Sequence, residues 1–155
     1  QAEANRQFAW IPPIFATAGG LVGGAMAYRL IRAGMPVTRA RMRICLVSAV
    51  LLLGTAAVPY MPNAAWAAAA ICFSFFWTLV MSTNVYVMPI DFFGAARAGL
   101  SVSALTLAYG VMQAFVSPLI GQLIHLHGFA PVCLSFSLLP LLAWGVLRAS
   151  VGKAA

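Results

Sequence analysis

The chain has almost no negative charge. Glu3 and Asp91 are the only acidic side chains in 155 residues, against nine Lys and Arg. Charged residues make up 7% of the sequence, where a soluble domain carries about 25%. So few charges cannot cover a water-facing surface of this size, which excludes an ordinary soluble domain. The scarcity of acids also argues against an enzyme. Intramembrane hydrolases and transferases need paired carboxylates, a Ser-His pair at depth or His-Glu motifs, and none occurs. Cysteine is scarce too. Cys45, Cys72 and Cys133 lie in or beside apolar runs with no Cys-x-x-Cys pair, so they read as small buried hydrophobes. His125 and His127 are two apart and do not share a helical face, so neither a metal nor any other cofactor is expected.

What the chain has is apolar length. Hydrophobic residues reach 63% and mean hydropathy is +0.97. Spans of about 20 residues cross a bilayer, and five fit: residues 8–30, 43–60, 65–88, 98–124 and 131–147. The expected fold is an all-α polytopic bundle forming one transmembrane domain, with the lipid bilayer as its first partner. The net charge of +7 does not imply nucleic acid. The basic residues sit between spans rather than along one continuous face.

Their distribution sets orientation. The segment after span one carries Arg29, Arg32, Arg39, Arg41 and Arg43. Arg97 follows span three, and Arg148 and Lys153 follow span five. The segments after spans two and four carry no Lys or Arg. Cytoplasmic loops retain Lys and Arg, so the N-terminus is expected outside and the C-terminus inside, with Arg6 the one exception. The polar start, Gln1 to Gln7 without an initiator Met, suggests a chain that begins partway through something longer or has been trimmed.

Two stretches stand out within the spans. Gly19, Gly20, Gly23 and Gly24 form two overlapping Gly-xxx-Gly pairs, the spacing that lets another helix approach closely. Span four carries Ser103, Thr106, Gly110, Gln113 and Ser117 at steps of three and four, which places them on one helical face. Lipid cannot satisfy such a stripe, so a neighbouring helix or a water-filled cavity must. Span three ends at Pro89 on this reading, and a short charged turn holding Asp91 and Arg97 follows. Those two residues pair as a gate element or simply mark a solvated turn.

Several of these residues resemble the major facilitator superfamily. Five spans that start outside and end inside match the last five of that family's twelve helices. The segment Gly24-Ala25-Met26-Ala27-Tyr28-Arg29-Leu30-Ile31-Arg32-Ala33-Gly34 is similar to its basic loop between helices eight and nine, with Tyr28 where an acid usually stands. Gly110, Ala114, Ser117, Pro118 and Gly121, followed by His127-Gly128-Phe129, resemble its eleventh helix and exit. Within the superfamily, Ile31-Arg32-Ala33-Gly34 and Arg39-Ala40-Arg41 look most like the organic-anion symporters.

The resemblance implies a secondary transporter of the bacterial inner membrane that works by alternating access. Its partners are a small polar or anionic solute, a coupling proton or sodium ion, and a missing N-terminal half. Spans one, three and four then line the cavity. Gln113 is the leading solute contact, its alternative being an interhelical hydrogen bond. Asn84, Ser82, Thr78, Thr106, Ser117 and Tyr109 follow. Arg29, Arg32, Asp91 and Arg97 mark the cytoplasmic boundary, and the Gly-xxx-Gly pairs with Gly110, Pro118 and Gly121 allow close helix sliding. The other reading is a non-transporting helical membrane subunit or a degenerate remnant.

The charge asymmetry generates a direct prediction. A cysteine introduced at Met61 reacts with a membrane-impermeant thiol reagent added to intact cells. One at Ala33 reacts only after permeabilisation. The reverse pattern would invert the topology.

Overall fold

The computed structural model describes residues 10–154, and Arg6 and the expected start of span one at Phe8 lie outside them. Five long helices follow one another along the chain: α1 Ile11–Arg32, α2 Val37–Leu52, α3 Ala64–Phe93, α4 Ala95–His127 and α5 Phe129–Ala154. A 3-10 segment, Leu53–Tyr60, extends α2. Five helical stretches are long and apolar enough to cross a membrane, and the described residues contain no strand.

The joints are shorter than hydropathy implies. The basic stretch between the first two spans is not a long loop. Arg29 and Arg32 lie in the last turn of α1, and Arg39, Arg41 and Arg43 already belong to α2. Gly34 makes this possible at φ +89°, a conformation open to glycine without a steric penalty. Its N–H donates to the Ile31 carbonyl and that of Met35 to the Leu30 carbonyl, which closes the helix end as a Schellman motif. Pro36 then precedes α2.

Pro89 does not end α3. The helix runs through it to Phe93, so Asp91 is helical rather than in a turn. Gly94 alone separates α3 from α4, at φ +73°. Gly128 likewise separates α4 from α5, and α4 and α5 run through Pro118 and Pro140. Asn63 caps the start of α3, its side-chain oxygen accepting from the Trp66 N–H at 3.0 Å, which satisfies one of the helix's free donors.

The core sits among α1, α2 and α3. Ala27, Ile44 and Val80 meet there, with Met26, Leu30, Phe76 and Trp77 packed around them. The α1–α3 crossing is set by two glycines. A Cβ at Gly19 would lie 2.2 Å from the Phe76 carbonyl oxygen, and one at Gly23 would lie 2.9 Å from the Val80 Cα and carbonyl oxygen. Only one of the two Gly-xxx-Gly pairs is therefore in the contact. Gly20 has ordinary space beside Thr83, and a Cβ at Gly24 meets nothing within 4 Å. The helix turns about 100° per residue, so positions 20 and 24 fall on the rim of the crossing.

α5 packs on α2 and the 3-10 segment, whereas α4 touches mainly α3. No residue of the apolar window of α4 is buried. Large apolar side chains such as Leu21, Leu100, Leu107 and Phe115 are exposed around the bundle, as suits a hydrocarbon solvent.

Gly19→Ala and Gly23→Ala are each expected to destabilise the fold by about 1–3 kcal/mol through overpacking. Gly24→Ala should be neutral or mildly stabilising. Unfolding midpoints of the purified protein in detergent distinguish these outcomes, and equal effects at 19 and 24 would exclude this crossing.

Candidate functional site

Among the described residues, the charged side chains gather at one end of the bundle. Three arginines alternate along the start of α2, and a two-residue step turns a helix by about 200°. Arg39 and Arg43 therefore share one face and Arg41 takes the opposite one. Arg41 lies in register with Ile44, Cys45, Ser48 and Leu52, all buried. It is the polar head of the buried stripe of α2, and its guanidinium enters the helix interface.

There it meets two residues of α3. Its Nε donates to Asp91 Oδ2 at 2.5 Å, with the two side chains 12% and 23% exposed. Its Nη1 donates to Asn84 Oδ1 at 3.4 Å. Asn84 is fully buried. Its Nδ2 donates to the Gly23 carbonyl across the interface at 3.3 Å and to the Val80 carbonyl one turn back at 2.9 Å. An arginine only donates, which fixes the amide with its oxygen toward Arg41. One network thus ties α1, α2 and α3 together beside the glycine crossing. A buried polar group left unmatched is costly, so each member holds the others in place.

Asp91 pairs with Arg41, fifty positions away, and not with Arg97. The Arg97 side chain is exposed near the start of α4. Its backbone carbonyl accepts from the Ser101 hydroxyl. Arg29, Arg32 and Tyr28 are exposed at the end of α1.

The α4 stripe lies apart from this network. Leu100, Ser101, Ala104, Leu105 and Ala108 line a cleft with Pro89 and Phe93 of α3. Ser103, Thr106, Gly110, Gln113 and Ser117 lie about half a turn away on α4, on the face directed out of the chain. All five are exposed, as are Tyr109, Pro118 and Gly121. A Cβ at Gly110 or Gly121 meets nothing within 4 Å, so neither packs against a described residue. The Thr106 hydroxyl donates to the Val102 carbonyl at 2.9 Å, a bond internal to the helix. On α3, Thr78 is exposed and Ser82 half-buried. Ser74, which shares their spacing, is held by Thr55 of the 3-10 segment at 2.8 Å.

The candidate solute residues are therefore not gathered into one pocket by the described residues. Asn84 joins the interhelical network, and Gln113 stands on an open face. Arg41 was missing from the sequence candidates because its charge reads first as a topology marker. The available signal was its register with the buried stripe of α2. Comparison with family models, with curated proteins and with solved structures gave no match for this chain.

The Arg41–Asp91 pair should behave as a coupled unit. Arg41→Gln and Asp91→Asn are each expected to cost about 1.5–3 kcal/mol, the range for charge-assisted hydrogen bonds. The double variant should cost little more than either alone. Additive losses in a double-mutant cycle on the detergent-solubilised protein would show that the two side chains do not interact.

Proposed function

We propose that the chain is the C-terminal part of a secondary active transporter like those of the major facilitator superfamily, moving a small polar or anionic solute by alternating access. The observation that carries this reading is the uncovered polar stripe of α4. A membrane-length helix with Gln113 and its neighbours directed away from its own bundle needs a second surface, and hydrocarbon cannot be that surface. A facing half with water between supplies it, as in transporters whose sites lie between two repeats.

In this reading Gln113 donates to and accepts from the solute near the middle of α4, with Thr106, Ser117 and Tyr109 beside it. Ser82 and Thr78 contribute from α3, while Asn84 stays in the interhelical network behind them. The Arg41–Asn84–Asp91 network holds the cytoplasmic ends of α1, α2 and α3 as one body that moves as a unit. Gly110, Pro118 and Gly121 leave α4 free to slide against the facing half. The coupling ion, proton or sodium, is bound largely by groups of that half. The setting is a bacterial inner membrane, and the charge asymmetry supports an arginine-rich end and C-terminus on its cytoplasmic side.

The same uncovered stripe also favours a second reading, a non-transporting subunit whose α4 packs against a partner helix. One experiment separates them. Gln113→Cys is placed in the full-length protein with Cys45, Cys72 and Cys133 replaced by Ser. A transporter gives labelling by an impermeant thiol reagent, slowed by the solute. In the same protein Gln113→Ala lowers uptake roughly tenfold, as loss of one or two hydrogen bonds of about 1 kcal/mol each would. A position that never labels, in a protein that supports no uptake, supports the packed subunit.

A further inference from the structure

A cavity of about 390 Å³ opens between α2 and α5 at the arginine-rich end, and the transport reading gives it no role. Arg39 and Arg43 of α2 and Arg148 of α5 line it, over Met42, Leu46 and Trp144. We infer that this cavity binds the phosphate headgroup of an anionic phospholipid.

The charge argument comes first. Asp91 is the only acidic side chain among the described residues, and it is bound to Arg41. Arg41 projects from the opposite face of α2, into the interface with α3. Arg39, Arg43 and Arg148 therefore line one cavity, and no carboxylate of the described residues is left to neutralise them. A guanidinium fork matches phosphate oxygens in pairs, so an anion with several oxygens fits this set.

Part of the site is held in advance. The Trp144 indole N–H donates to the Met42 carbonyl at 3.0 Å, fixing the ring across the two helices. The Arg148 guanidinium then lies 5.3 Å from the centre of that ring, a cation–π placement that restricts where it points. Thr38 also lines the cavity.

A free phosphate would share the headgroup chemistry, but the surroundings favour a lipid. The face of α2 that carries Arg39 and Arg43 continues into Val47 and Val50, which are 44% and 50% exposed. An acyl chain running from the cavity toward the bilayer centre lies along these side chains. Basic pockets between transmembrane helices near the cytoplasmic leaflet suit such headgroups. The inference rests on the chain spanning a membrane and not on transport, so it stands or falls separately from the proposed function.

The test uses the full chain, delipidated in an uncharged detergent and titrated with dioleoylphosphatidylglycerol or dioleoylphosphatidylcholine. Bound lipid is counted by native mass spectrometry. One tight phosphatidylglycerol per chain is expected. Each of Arg43→Gln and Arg148→Gln should weaken it roughly fivefold, the value of one cationic side chain near the membrane surface. Arg43→Lys keeps the charge without the fork and should bind more tightly than Arg43→Gln but less tightly than the parent, which separates a binding loss from misfolding. Equal binding of the two lipids, or binding unchanged in the double Gln variant, would overturn the inference. So would glycerol 3-phosphate binding as tightly as the lipid, because that would make the site one for a soluble anion.

Discussion

The contact on which the bundle depends is the approach of α1 to the backbone of α3 at Gly19 and Gly23. No side chain fits between the helices at these two points. In hydrocarbon, where burying apolar surface gains nothing over lipid, close packing and interhelical hydrogen bonds must hold helices together. The glycine crossing supplies both. It brings the Gly23 carbonyl within reach of the Asn84 amide. Asn84 in turn presents its oxygen to Arg41, and Arg41 reaches Asp91. Backbone proximity and polar pairing are thus one structure, and α2 joins it through its buried stripe with Arg41 at the head.

The same end of the bundle separates its arginines by function. Alternation along α2 sends Arg41 inward and Arg39 and Arg43 outward. The inward arginine has a carboxylate and an amide. The outward pair faces Arg148 across a cavity with an apolar floor. A run that reads in sequence as one basic loop is therefore two surfaces with different tasks. The short Gly34 turn produces this division by starting α2 early enough to make all three arginines helical.

α4 is the counterpart to this locked region. It is the longest helix and the least covered. Single glycines at 94 and 128 join it to its neighbours. Its apolar α3-facing side and its polar stripe lie on opposite faces, so the bundle meets one and leaves the other open. Gln113 and Asn84, similar as buried-amide candidates by composition, consequently sit in opposite environments. Asn84 is enclosed by three helices, and Gln113 is bare.

The sequence by itself determined the class of the molecule. Apolar length and missing charge fix five membrane-length helices, and the clustering of arginine after alternate spans fixes which ends lie together. The glycine spacing in α1 announced a close crossing, and the three-four steps of α4 announced its stripe. These features are local, set by periodicity and by the solvent each residue tolerates. Partner choice is not local. Which Gly-xxx-Gly pair enters the crossing, which arginine Asp91 selects, and whether a proline ends a helix depend on what approaches from elsewhere in the chain. Tertiary structure decided for Gly19 and Gly23 over Gly20 and Gly24 because the crossing leaves room for only one face of α1. It decided for Arg41 over Arg97 because only Arg41 lies on a helix face packed against Asp91. It carried α3 past Pro89 to Phe93, which places Asp91 on the helix within reach of Arg41.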